Sequence, residues 1–386
     1  MLRARSPRCA VTALALGALL ATSSASAQQF DITNLVTDDQ AANHAQITDP
    51  GLLNAWGMSY GPTSPFWVSS NGAGTSTLYQ VDPLTHATTK LGLTVTVPGG
   101  PEGVTGQVFN SAAASGAFNG NLFLFGSTDG SVSGWRASLG TTAETLAGPT
   151  AGAAYTGTAF GSVGSHSYLY TANFAAGTID VYKGSAAAPG ITGTFSDPNL
   201  PTGYAPFNIQ NLGNQLYVAY AKRGADGDEE KGAGFGFVDV FNLQGHLLAR
   251  VASGGSLNAP WGLAVAPSSF GALAGDVLVG NFGDGRINVY DPHTHSFVGQ
   301  VQGTNGQPLA IDGLWAIAPG NDTKAGSSAL LYFTAGPDDE KHGLFGVLTA
   351  AVPEPSTYVL LLGGLVAIGL RRSIVGSWTR ERSCSN

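Results

Sequence analysis

The chain repeats itself six times, and that repeat restricts its fold more than any other feature. The stretches "LNAWGM" from Leu53 and "LNAPWGLAV" from Leu257 are near copies, and "DGLWAIA" from Asp312 is a third. Aligning the units on one residue gives a ladder at Gly57, Gly103, Gly157, Asn208, Gly262 and Ala316, with steps of 46, 54, 51, 54 and 54 residues. A second ladder runs beside it. "GTSTLY", "GSVSGW", "GTIDVY", "GFVDVF", "GRINVY" and "GLFGVL" begin at Gly74, Gly130, Gly177, Gly236, Gly285 and Gly343. Each is a turn glycine followed by period-two alternation ending on a large side chain, the pattern of a hairpin turn feeding a half-buried strand. Apolar runs such as "NLFLFG", "QLYVAY" and "DVLVGNF" lie just upstream as further strands.

Six units of about fifty residues, each with several short strands, predict an all-β, six-bladed β-propeller over residues 28–350. Composition agrees. The 55 Gly, 20 Pro and 11% charged residues favour turns and strands over helices, and 43% hydrophobic residues supply a core. An open ring would leave unpaired sheet edges, so "FDITNLV", residues Phe30 to Val36, is expected to give the last blade its outer strand. The pattern resembles the six-bladed propellers of the NHL and gluconolactonase-like superfamily.

Both ends carry addresses. Residues 1–27 read as a signal peptide: Arg3, Arg5 and Arg8 precede an apolar run from Ala10 to Ala21. Ala25-Ser26-Ala27 then predicts cleavage by signal peptidase between Ala27 and Gln28. At the other end, residues 351–372, Pro353-Glu354-Pro355 leads into the apolar segment Ser356 to Leu370, closed by Arg371 and Arg372. Fifteen helical residues reach about 22 Å, short of a bilayer core of about 30 Å, and the arginines snorkel to extend that reach. Positive charge after the segment places residues 373–386 in the cytoplasm as a basic tail. This order of parts resembles the PEP-CTERM sorting signal of Gram-negative bacteria. The resemblance implies a transient inner-membrane anchor, recognition by an exosortase (a membrane cysteine protease) and removal of the helix near the motif. It also implies cargo associated with the cell surface, exopolysaccharide or biofilm. Among such cargo the chain resembles a family of uncharacterised propellers.

Without the leader and the segment from Pro353 onward, ten basic and 23 acidic residues remain, a net charge of −13. Such a body is a poor partner for nucleic acid or an anionic membrane surface. Cys9 and Cys384 lie in the two end segments, so no disulfide framework is expected in the body.

Chemistry in a propeller concentrates at the ends of the innermost strands. Near the first ladder stand Glu102, Asn208 and Asp312, and Asn173 and Asn281 end the strands before the second ladder. Gluconolactonase-like propellers hold a divalent cation on the axis with Glu, Asn and Asp side chains. The resemblance therefore implies a calcium or magnesium site at Glu102, Asn208 and Asp312, joined by Asn173 or Asn281. The plainer alternative is a solvated turn at Glu102 and a loop cap at Asp312. Trp56, Trp261 and Trp315 recur at repeat spacing, as core residues do; the sharper alternative is a carbohydrate-stacking ring around the channel mouth. "KRGADGDEEKGAGFG" from Lys222 lacks the spacing of an EF-hand loop and reads as a hydrated excursion. No GxSxG elbow, HExxH helix or P-loop occurs. The first reading is thus an exported binding protein of the surface or matrix, and the alternative is a metal-dependent lactonase or esterase.

Overall fold

The computed structural model describes residues 28–99 and 103–351. Six antiparallel blades stand around one axis. Their innermost strands are Ala55–Ser59, Val104–Phe109, Tyr155–Val163, Tyr204–Leu212, Pro260–Val265 and Leu314–Pro319. Each packs against its two neighbours, the sixth against the first, so the body is a closed six-bladed β-propeller. Blades 1, 2, 4 and 5 are each four consecutive strands in spatial order. Among the described residues blade 3 has three, ending on Thr178–Lys183.

Blade 6 takes its outer strand from the other end of the body. Gln29–Thr37 runs antiparallel to Leu344–Ala350, with Phe30 opposite Ala350 and Thr37 opposite Leu344. This is the closure expected of residues Phe30 to Val36. Leu35 and Val36 are fully buried, and the Phe30 ring lies 4.3 Å from that of Phe270. Closure pairs an edge that would otherwise stay open.

Burial decreases outward from the axis. The second strands Phe66–Ser70, Val277–Asn281 and Leu331–Ala335 are buried at every position, because neighbouring blades cover both their faces. The outer strand Phe297–Gln300 leaves Phe297 and Val298 exposed. Six apolar clusters hold the blades together: five fill gaps between neighbours, and the sixth runs from the gap between blades 6 and 1 into the axial aromatics.

All six innermost strands carry a register irregularity at the same level, for example between Ala55 and Met58, Val104 and Gln107, and Leu314 and Ile317. That level is the first ladder, with one correction. The second rung is Gly106, three residues beyond Gly103. Thr105 stands there where blades 1, 4, 5 and 6 have an aromatic, so the sequence offers no ring to align on. Small residues recur at this level because the strands approach closely. A Cβ on Gly57 would stand 2.4 Å from the Thr105 carbonyl oxygen, and one on Gly106 would stand 2.6 Å from the Thr158 nitrogen.

Candidate functional site

A belt of hydrogen bonds joins the blades at the level of the rungs. The Thr156 hydroxyl donates to the Phe207 carbonyl at 2.7 Å, and Asn208 Nδ2 donates to the Trp261 carbonyl at 2.8 Å. Gln107 Nε2 donates to the Gly57 and Trp67 carbonyls at 2.9 and 2.7 Å. Inside the belt remains a void of about 20 Å³, space for about one water.

Aromatic side chains fill the axis next to the belt, on the side where the innermost strands begin, called here the upper face. Trp315 has no exposed surface. It stacks on Trp56 at 3.8 Å and on Phe282 at 4.0 Å, with Trp261 edge-on at 5.7 Å. Both faces of its ring are occupied within the protein, and Trp56 and Trp261 are also buried. Trp315 Nε1 donates to Asn54 Oδ1 at 2.9 Å.

The upper face is acidic and organised. Residues 223–235 connect the second and third strands of blade 4 and fold across it. Arg223 donates to the Ala175 carbonyl of blade 3 at 2.6 Å, and the Gly232 N–H donates to Asn258 Oδ1 at 2.6 Å. Lys231 Nζ sits 4.5 Å above the Phe282 ring and 3.9 Å from the Asp339 carboxylate of blade 6. The hydrated excursion expected from composition is therefore pinned to three other blades, since its polar groups find partners across the face. Asn54 Nδ2 donates to Glu340 Oε2 at 2.6 Å. Burial pushes the Glu229 carboxyl up to about 7, with the Glu340 charge adding to the rise and Lys231 opposing it. Burial raises Glu340 as well, against the pull of its Asn54 hydrogen bond. A cavity of about 290 Å³ opens beside the axis, lined by Lys231, Phe282, Asp284, Asp312 and Asp339 among others. Sequence reasoning missed Glu229, Lys231 and Glu340. The available signal was the acid-rich run placed between two strands of one blade.

The lower face, where the innermost strands end, holds a wider basin of about 820 Å³. Among the described residues, no Asp, Glu, Lys, Arg or His lines it. Tyr60 and Phe109 contribute rings, Gln210, Asn211 and Asn214 amides, and Leu263 and Ile317 apolar floor. Burial pushes the Tyr60 phenol up to about 12, and its hydroxyl donates to the Pro319 carbonyl at 2.6 Å.

The sequence candidates fall in separate places. Asn208 belongs to the belt and lines the small void. Asp312 is exposed on the upper face, where it accepts the Asp338 N–H at 2.9 Å. Asn173 accepts the Ala154 and Ala176 N–H groups and donates to Asp180 at 2.8 Å. Asn281 donates to the Ser256 carbonyl and to Asp284. Each of these two asparagines thus organises turns of its own region rather than reaching the axis. Glu102 lies outside the described residues, as do Ala27, Pro353, Glu354, Pro355, Arg371, Arg372 and the apolar segment between them. Among the described residues, no group of three or more His, Cys, Asp or Glu is placed to hold a metal ion, and no helix is long and apolar enough to cross a membrane. Gln28 is described, and its amide reaches the Ala351 carbonyl at 3.4 Å.

Fold and C-terminal motif together define a class: a closed propeller delivered by a sorting signal. Residues 351–373 match the PEP-CTERM protein-sorting motif, which implies export, membrane-anchored sorting and processing by an exosortase. The chain belongs to the family of uncharacterized protein R648 of Acanthamoeba polyphaga mimivirus, with which it is 32% identical over 322 residues, 79% of this chain and 76% of the relative. Uncharacterized protein L690 of the same virus is 39% identical over 188 residues, 47% of this chain and 48% of that relative. Among solved structures the chain is similar to a glucose dehydrogenase, with a TM-score of 0.49 and 13% identity, over 83% of this chain and 100% of that one.

Proposed function

We propose that the protein is a binding component of the cell surface or extracellular matrix, delivered by exosortase sorting and engaged with exopolysaccharide. The observation that carries this reading is the sorting motif at residues 351–373, joined directly to the last strand of a closed ring. The Ala351 N–H donates to the Gln29 carbonyl at 2.8 Å, so the last described residue is tied to the closing strand. Cleavage near Pro353 would therefore leave every strand of the ring in place, and the released body would keep both faces. Intact mass spectrometry of surface or secreted material tests this. The expected product ends near the Pro-Glu-Pro triplet, and recovery of Trp378 and Arg380 in it would count against exosortase handling. Replacing Pro353, Glu354 and Pro355 should trap the anchored form.

The lactonase or esterase reading keeps one supporting observation. Asp284, Asp312 and Asp339 line one upper-face cavity and supply hard oxygen donors, although these three carboxylates do not converge on one ion position. Thermal melts with EDTA and then with calcium, on wild type and Asp312→Ala, decide it. A calcium-dependent rise that is lost in the variant, together with turnover of a lactone or ester, would support hydrolysis. An unchanged melting temperature would remove it.

A further inference from the structure

We propose that the lower-face basin is the site at which this protein holds a neutral polysaccharide chain. The inference deepens the matrix-binding reading and rests on it.

The size is right for one or a few sugar rings, since small-ligand sites span roughly 300–1,000 Å³ and this basin has about 820 Å³. The lining matches the two kinds of surface that a sugar presents. Its C–H faces need apolar or aromatic platforms, which Tyr60, Phe109 and Ile317 provide. Its hydroxyls both donate and accept, and amide side chains answer both needs. Gln210 has no side-chain partner among the described residues, although it lines both the basin and the void beneath it. Gln107, at the same depth, is already committed to Gly57, Trp67 and Ser76. The buried hydroxyls of Ser59, beside the basin, and Thr158, beside the void, also have no partner among the described residues. Polar capacity is thus left over at Gln210 on the floor, and the Asn214 amide on the rim likewise has no side-chain partner among the described residues.

Charge selects among polysaccharides. A polyanion would approach a body of net charge −13 with no cation in the basin to receive it. A polycation would find no carboxylate among the lining residues described. The neighbouring Asp322 is engaged with the Ser328 hydroxyl and N–H.

The rim also suits a polymer. In blades 3 and 4 the first two strands are joined by two-residue turns, Gly164-Ser165 and Gly213-Asn214. Gly213 and Asn214 both have positive φ, 62° and 64°, as a type I′ hairpin requires. In blades 2 and 5 the same connection is long and carries the 3-10 segments Ala113–Ser115, Ala117–Gly120 and Ser268–Leu273. The rim is therefore low on one side, where a chain longer than the basin can leave it.

Calorimetry on the purified full-length protein would use glucose hexamers with β-1,4, β-1,3 and α-1,4 linkages, with oligogalacturonate and chitosan oligomers as charged comparisons. At least one neutral hexamer is expected to bind, at least tenfold more tightly than either charged probe. Gln210→Ala should weaken binding about tenfold, the scale of one or two hydrogen bonds. Val265→Arg places a charge on the exposed rim and should weaken it too, which keeps the test sharp if Gln210→Ala lowers the melting temperature. Lys231→Ala, on the upper face, should leave binding unchanged. The proposal is overturned if no neutral hexamer binds at millimolar concentration, if both lower-face variants bind like wild type, or if Lys231→Ala abolishes binding. Its failure is separable from that of the matrix reading. A correctly processed protein that ignores neutral glycans sinks only the basin, whereas an unprocessed surface form sinks the reading beneath it.

Discussion

On the upper face the connection in blade 4 is long and acidic, and it reaches across three other blades. On the lower face two connections are two-residue turns, and among the described residues the basin they border is lined by no charged side chain. Both faces are built on the same six strands. The contrast shows that the repeat determines the ring, whereas connection length and composition determine what each end of the ring offers. The upper face uses its polar groups on itself: Asn54 on Glu340 and Trp315, Lys231 on Asp339 and Phe282, Asp312 on Asp338. The lower face leaves the Gln210 amide without a side-chain partner among the described residues.

Opening the ring abolishes the difference between the faces altogether. Deleting residues 28–37 removes Phe30, Leu35 and Val36 from the core, about 6 kcal/mol from those side chains alone, and unpairs Leu344–Ala350. Circular dichroism should show loss of the cooperative melt, and both faces should be lost together. A smaller effect acts on the floor between the faces. Gly106→Val would drive a side chain into the backbone of Gly157 and Thr158 and should cost about 3 kcal/mol in chemical denaturation.

Protonation acts on the upper face, at Glu229. Glu229 is raised from 4.5 to about 7 by burial. The folded state therefore holds this proton more tightly than the unfolded chain. The stability so gained is fully present below pH 4.5 and is lost as pH rises through about 7. Glu229→Gln should melt close to wild type near pH 4.5 and become more stable than wild type by about 3 kcal/mol at pH 8. A constant difference across that range would contradict the buried placement of Glu229. The smallest expected effect is that of Asp312→Ala, which removes one exposed hydrogen bond to the Asp338 N–H and should cost about 0.5 kcal/mol.

Much of the ring was legible in the residues. The glycine ladder marked each third strand, and the closing strand was expected at Phe30 to Val36, before the first repeat; the near-identical stretches "DPLTH" from Asp82 and "DPHTH" from Asp291 form matching outer turns. Asp82 and Asp291 each accept backbone N–H groups there, and His86 and His295 take left-handed φ of 58° and 57°. The second rung was misplaced because Thr105 replaces the aromatic that signals it elsewhere. The faces were harder to read. Asn173 and Asn281 sit at recurrent positions, yet recurrence could not say that turn N–H groups and neighbouring carboxylates occupy their amides. Glu229 and Lys231 lie in a connection whose path follows no period, so their approach to the axis depends on contacts across blades. The basin was invisible for a related reason. Its lining comes from the last residues of several strands, which converge only when the ring closes.

The most direct test of the contrast is hydrogen–deuterium exchange on the protein, alone and with the neutral hexamer that binds it best. Protection is expected at residues 59–61, 109–111 and 210–214 on the lower face, with exchange at 228–232 and 337–342 on the upper face unchanged. Protection confined to the upper-face segments would place the glycan on the opposite face and overturn the lower-face site.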